Sequence, residues 1–228
     1  MNKNKAQIDT QVISQEDPKS ISTAIRFLQS GGLVAFPTDT IYGLATPVMN
    51  NSGIIRLFEA KGRSTNKAIA VLIGGISQLD SVADLLPRKF DEVIGRTSQS
   101  NSIRIAMRLA EVFWPGPLTL IFQRHTRLPN ILSPRPTIGV RMPDHPFVLG
   151  ILNEIGPLAT TSANISDGPN PSTAQDVLTQ LGNRIELIID GKTTPNTIGS
   201  TVVDCTGLTP TIIRRGPISE VTLKQYFE

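Results

Sequence analysis

The sequence contains one cysteine, Cys205, and two histidines, His125 and His145, among 228 residues. A single cysteine excludes an internal disulfide and any cysteine-cluster metal site. The two histidines lack metal-ligand spacing, so no structural zinc is expected. Cys205 ends the run Val202-Val203-Asp204 and reads as a buried small residue rather than a nucleophile. Aromatic residues make up only 5%, too few for a base-stacking platform to dominate. No apolar run reaches bilayer length, and residues 1–15 lack the apolar core of a signal peptide, so the reading is a cytoplasmic protein without a membrane segment. Neither G-x-G-x-x-G nor G-x-S-x-G is present, and the histidines offer no triad for serine hydrolysis. Asp190-Gly191-Lys192-Thr193-Thr194 imitates the end of a phosphate-binding P-loop, but Glu186 stands where its first glycine belongs and Pro195 opposes the following helix.

What remains is globular. Hydrophobic residues at 39% and charged residues at 18% support a sizeable core, and the length suits one large domain or two small ones. A net charge of +3 is a mild basic bias that fits anionic substrates or RNA and distinguishes neither. Helices are expected over residues 17–29, 51–60, 76–86, 146–155, 170–181 and 218–227. A further segment, 89–113, has an interior at 96–102 too polar for one unbroken helix. Strands are expected at 33–36, 68–73, 118–122, 137–142, 158–160, 184–189, 201–204 and 211–214. The elements intermix without strict alternation, which points to a mixed α/β sheet in one domain rather than a clean dinucleotide-binding fold.

Two stretches carry candidate chemistry. Lys61-Gly62-Arg63-Ser64-Thr65-Asn66-Lys67 places three cations within seven positions, just after an apolar helical run. It reads as a surface loop that offers donors to an anion or, equally on its own, as a solvated basic loop. Pro157-Leu158-Ala159-Thr160-Thr161-Ser162-Ala163-Asn164 runs from an apolar strand into small hydroxyl and amide residues. Together the cationic and the neutral turn suit a nucleotide or another phosphate-bearing ligand.

Seven segments, taken in order, resemble the threonylcarbamoyl-AMP synthase (YrdC-like) family. They are Gly32 to Leu44, Lys61-Gly62-Arg63, Trp114 to Thr119, Val140 to Pro143, Thr161 to Asn164, Ser200 to Asp204 and Ile213 to Gly216. The resemblance covers roughly residues 30–216. It implies a single-domain, twisted, mixed parallel and antiparallel sheet with flanking helices around a large basic cavity. It also implies synthesis of threonylcarbamoyl-adenylate from L-threonine, bicarbonate or CO2 and ATP, with release of pyrophosphate, and delivery to the tRNA threonylcarbamoyl-transferase machinery. The family's catalytic quartet falls on Lys61, Arg63, Ser162 and Asn164, with Lys61 and Arg63 as anion clamps and Ser162 and Asn164 as neutral donors. The ATP side comprises Arg63, Lys67, Thr119, Ser162, Asn170 and Arg214. The threonine side comprises Thr40, Thr160 and Ser200. Mg2+ is expected through the ATP phosphates, with no metal ligand from protein side chains. The implied division is a polar extension over 1–16, a catalytic domain over 17–216 and a helical tail over 217–228, the short form of the family.

Several positions depart from the commoner pattern. Ser64 replaces a frequent proline, Lys67-Ala68-Ile69 replaces asparagine, proline and leucine, and Gly199 replaces glutamate. Leu72 stands where longer members carry a histidine linked to the threonine pocket. Two other readings share the same basic concavity: a double-stranded RNA-binding or ribosome-maturation factor, and a paralogue acting on another substrate. Steep salt dependence without ATP turnover marks the first of these.

Overall fold

The computed structural model describes residues 8–85 and 97–227. Ten strands form one sheet: β1 Gln11–Ser14, β2 Val34–Phe36, β3 Gly43–Pro47, β4 Ala70–Leu72, β5 Leu118–Gln123, β6 Thr137–Arg141, β7 Leu158–Ser162, β8 Leu187–Asp190, β9 Thr201–Asp204 and β10 Thr211–Arg214. Their order across the sheet is β1-β8-β2-β3-β7-β4-β6-β5-β9-β10. The pairs β1/β8, β2/β8, β4/β6 and β5/β9 are parallel, and the other five are antiparallel. The sheet is mixed, as the element pattern implied.

Helices α1 (Ser20–Gln29) and α4 (Pro146–Ile155) pack together on one face of the sheet. Their apolar stripes meet Val34, Phe36, Leu158, Leu187 and Ile189. The opposite face carries α2 (Asn51–Lys61), α3 (Thr97–Phe113), α5 (Ala174–Leu181) and the short α6 (Glu220–Lys224). These helices bury Ala35, Leu44, Val71, Leu120, Val140, Ala159 and Ile188. Neighbouring residues such as Val34 and Ala35, or Leu158 and Ala159, enter different cores because successive strand side chains point to opposite faces.

The structure adds two strands that the sequence pattern did not show. β1 lies inside the polar stretch at 1–16; its residues are mostly exposed, so no apolar alternation marks it, and it is held by backbone pairing along β8. β3 contains Gly43 and Pro47, which have low strand propensity, yet it sits buried between β2 and β7. Gly43 is there for space: a Cβ would lie 3.1 Å from Thr160 Cγ2. The expected helix at 76–86 is a 3-10 turn over Ile76–Ser81, and α1 begins at Ser20 rather than at position 17, since the Asp17 carboxylate accepts from the Lys19 N–H within a turn. Residues 89–96 of the segment 89–113 lie outside the described residues; Thr97–Phe113 is one helix, so the polar stretch expected to interrupt it does not do so from Thr97 onward.

The end of α2 sets the geometry of the site. The N–H groups of Gly62 and Arg63 return to the carbonyls of Glu59 and Phe58, and Gly62 takes a left-handed φ of 59°. This closing motif satisfies the last helical carbonyls and turns the chain sharply, so Lys61 points inward while Arg63 leaves on the far side of the turn.

Two outcomes follow from the packing. Gly62→Ala should cost about 1 kcal/mol, because an L-residue is strained at that φ even though the space is open; urea unfolding measures it as a lowered midpoint at unchanged slope. Cys205 is 5% exposed, and burial, reinforced by Asp204, pushes its thiol up to about 12. The native protein should therefore resist maleimide at neutral pH and label only on unfolding, and Cys205→Ser should retain activity.

Candidate active site

Beyond β7, on the face that carries α1 and α4, a cavity of about 450 Å³ opens, and no residue of those two helices lines it. A second compartment of about 330 Å³ adjoins it, sharing Ala68, Ala70, Thr119 and Arg214 as walls. The floor consists of alternate strand residues that point away from the core under α2, α3, α5 and α6: Ala70 and Leu72 on β4, Gly139 and Arg141 on β6, Thr119 and Ile121 on β5, Thr160 and Ser162 on β7. Strand register aligns these side chains, with Gly43 opposite Ser162, Ala70 opposite Thr160 and Ile121 opposite Gly139. Small residues at these positions leave the volume open, and threonine and serine make part of the floor polar.

Of the residues singled out from the sequence, Thr40, Arg63, Thr119, Thr160, Ser162, Asn170, Ser200 and Arg214 all line the main cavity. They come from seven separate segments of the chain, and the fold brings them together. Thr119 and Ser200 share a hydrogen bond of 2.7 Å between their hydroxyls. Arg214 donates from Nε to the Ser200 carbonyl and from Nη2 to Ser200 Oγ, at 3.0 and 3.1 Å. Arg63 donates to the carbonyls of Lys67 and Ala68. Neither Arg63 nor Arg214 has a carboxylate within ion-pair distance among the described residues. Burial holds both guanidinium groups below their ordinary pKa, with Asp167 partly opposing this for Arg63. Asn170 donates to the Thr197 carbonyl and so ties the loop before β9 to the cavity rim.

Three expected residues sit elsewhere. Lys61 is 1% exposed and lies behind the cavity wall, where its ammonium donates to the carbonyls of Ser162 and Asn164 and to Asn164 Oδ1. Burial, then the Arg63 cation, push its pKa down to about 7. Asn164 is buried beside it, accepting from Ser162 Oγ at 2.6 Å and donating to the Gly168 carbonyl at 2.8 Å. Lys67 is at the surface, paired with Asp167 at 2.6 Å, and does not line either compartment. Lys61, expected as an anion clamp, has its ammonium hydrogen-bonded to three acceptors inside the protein. Lys192, from the P-loop imitation, is also an exposed surface residue and pairs with Glu16.

Arg141 was not singled out as a site residue, yet it lines the cavity. It is buried, donates to the Gly116 carbonyl and Thr40 Oγ1, and forms an ion pair with Asp39. Its signal in the sequence was a charge at the end of the apolar strand Thr137–Arg141, on the face shared with Gly139 rather than with Ile138 and Val140. Thr38 and Arg215 also line the cavity, the latter already paired with Glu220. Among the described residues no group of three or more His, Cys, Asp or Glu could hold a metal ion, and no helix is long and apolar enough to cross a membrane.

Comparison with known proteins places this geometry. Residues 26–216 match the Sua5_yciO_yrdC family model, described as "Telomere recombination". A threonylcarbamoyl-AMP synthase of Bacillus subtilis is 37% identical over 217 residues; the match covers 92% of this chain and 57% of that protein. The chain thus spans just over half of that relative. A putative threonylcarbamoyl-AMP synthase of Mycobacterium tuberculosis is 32% identical over 206 residues, covering 90% of this chain and 88% of that protein. The crystal structure of P. abyssi Sua5 complexed with L-threonine superposes with a TM-score of 0.82 at 34% identity, over 96% of this chain and 60% of that one. E. coli YciO shares the fold, with a TM-score of 0.75 at 22% identity, over 97% of this chain and 99% of that one. With a match running from β-sheet entry to the last arginines of the cavity, the chain belongs to the Sua5/YciO/YrdC family.

Proposed function

We propose that this chain makes threonylcarbamoyl-adenylate from L-threonine, bicarbonate or CO2 and ATP, releasing pyrophosphate, and that the product feeds threonylcarbamoyladenosine modification of tRNA. The observation that carries the reading is the pair Arg63 and Arg214: two cations without carboxylate partners, facing a hydroxyl-lined cavity of two joined compartments. The names of the B. subtilis and M. tuberculosis relatives, and the threonine bound to the P. abyssi structure, support the same substrates.

The reaction joins anions. A carbamate formed from the amino acid and CO2 must approach the α-phosphate of ATP, and water alone would leave the like charges to repel each other. Fixed guanidinium groups in a partly buried cleft offset that repulsion without reorganising during the step. In this reading Arg63 and Arg214 take phosphate oxygens, with Thr119 and Asn170 beside the nucleotide. Thr40, Thr160 and Ser200 face the amino acid. Arg141, held flat by Asp39 and Gly116, supplies the fixed cation nearest Thr40. Leu72, opposite Arg141 in strand register, gives the amino-acid side of the pocket an apolar wall. Mg2+ enters as the ATP chelate; the cavity offers it neutral hydroxyls rather than a carboxylate cage, so phosphate oxygens are its principal ligands. Its charge neutralises the phosphates when bound.

Arg63→Ala and Arg214→Ala should each lower turnover by roughly 10²–10³ while leaving the melting temperature close to the wild type. Pyrophosphate release in the presence of ATP, L-threonine and labelled bicarbonate reads this directly, and near-normal release by both variants would remove the assignment. Amino-acid competition at fixed ATP and bicarbonate should rank threonine above serine and serine above valine. Valine offers no hydroxyl to the polar walls at Thr40 and Ser200, whereas serine lacks only a methyl, worth about 1–3 kcal/mol at most. Valine used as well as threonine would favour the paralogue with a different substrate, and tight RNA binding without turnover would favour the RNA-binding reading.

A further inference from the structure

The loop after β2 and the turn before α4 meet at Asp39. Its Oδ1 accepts from Arg141 and, at 3.1 Å, from the Asp144 N–H, while its main-chain carbonyl accepts from Asn196 Nδ2 at 2.8 Å. The other carboxylate oxygen, Oδ2, is buried and has no hydrogen-bond partner among the described residues. His145 follows Asp144 and immediately precedes α4. Its Nδ1 is likewise buried and without a partner among the described residues, and its side chain does not cap the helix. Only two other buried side-chain atoms among the described residues, Gln15 Oε1 and Thr46 Oγ1, are left in this way, so the coincidence of two at one corner asks for a cause.

The two atoms are complementary. A carboxylate oxygen that has lost its hydration needs a donor, and an imidazole N–H is one. Burial holds the His145 ring below its ordinary pKa, with Asp39 and then Asp144 opposing the shift, so at neutral pH the ring is neutral and carries a single proton. Either nitrogen can hold that proton, and the charge of Asp39 selects the one that can donate to it. We propose that His145 is a positioning residue: its Nδ1–H donates to Asp39 Oδ2, and Asp39, held at both oxygens, keeps the Arg141 guanidinium against Thr40. His145 itself lines neither compartment. With one oxygen free, the carboxylate can swing about its Cβ–Cγ bond and Arg141 can follow it. With both oxygens held, Arg141 is fixed by Asp39, Thr40 Oγ1 and the Gly116 carbonyl. The hydrogen bond stands on the geometry alone; its consequence for the amino acid rests on the function proposed above, in which Arg141 and Thr40 face that substrate.

NMR of the wild-type protein with isotope-labelled histidines reads the tautomer at neutral pH. His145 should carry its proton on Nδ1. His125 serves as the opposite reference, because its Nδ1 accepts from the Arg127 N–H at 3.1 Å, and His145→Phe assigns the signals by deleting one set. In pyrophosphate-release assays His145→Phe, which keeps a ring and removes the donor, should raise the KM for L-threonine roughly 10-fold and leave the KM for ATP unchanged, the lower end of what a hydrogen bond to a charged group supports. His145→Asn places an N–H on the same Cγ and should recover most of that loss. Should His145→Phe fail to fold, as shown by its melting curve, His145→Ala takes its place in the assay and the wild-type tautomer still decides the hydrogen bond. An Nε2–H tautomer at His145 would overturn the hydrogen bond. A folded donor-less variant that weakens ATP as much as L-threonine, or weakens neither, would overturn the positioning role, and so would His145→Asn that recovers nothing. A wild-type protein with the Nδ1–H tautomer that turns over no L-threonine would overturn the proposed function and the positioning role with it, while leaving the hydrogen bond in place.

Discussion

A charged side chain leaves water only where acceptors replace its hydration, and two buried cations shape this site by that rule. Arg141 is buried among Asp39, Thr40 and the Gly116 carbonyl, which come from the loop after β2 and from the turn before β5. Lys61 is buried among the carbonyls of Ser162 and Asn164 and the Asn164 amide. Each cation therefore fastens a loop to the sheet. Removing one partner of such a buried pair costs about 3–5 kcal/mol in other proteins, since the remaining charge is stranded. The same fastening orders the groups around it: Thr40 is aligned by Arg141, and Ser162 by Asn164.

The sheet supplies the rest of the site through simple alternation. From β7 to β5, the apolar residues Ala159, Val71, Val140 and Leu120 enter the core under α2, α3, α5 and α6, while Thr160, Ala70, Gly139 and Thr119 face the opening. The small side chains on that face keep the cavity open. Pairing β5 directly with β9 then carries Ser200 and Arg214 to the side of Thr119, across 81 residues of sequence in the case of the Thr119–Ser200 contact. Cations at the rim, hydroxyls on the floor and an apolar patch at Leu72 and Ala70 give the cleft walls of distinct chemistry.

Charge placement separates binding groups from supporting ones. Among the described residues Arg63 and Arg214 have no carboxylate within ion-pair distance, and both face the cavity. Lys67 and Lys192 resemble them in sequence, but surface carboxylates pair with both, and exposed pairs of this kind contribute little to stability. Cationic residues in one short segment, Lys61, Arg63 and Lys67, thus end in three different environments: a buried knot, a cavity wall and the solvent.

The sequence by itself determined the mixed α/β class, most strands, the end of α2 to within one residue and the set of short segments shared with the family, because periodicity, a glycine after an apolar helical run and order along the chain are local properties. It also determined the exclusions: no disulfide from one cysteine and no P-loop at Lys192. β1 and β3 were illegible, since one is polar and the other contains Gly43 and Pro47, and their pairing partners are distant in the chain. Only the tertiary structure decided that Arg141 belongs to the cavity, that Lys61 and Asn164 stand behind it and that Lys67 turns away. The direction in which a side chain at a helix end or a turn points depends on which distant carbonyl or carboxylate is there to receive it, and that is set by strand order, which no local pattern encodes.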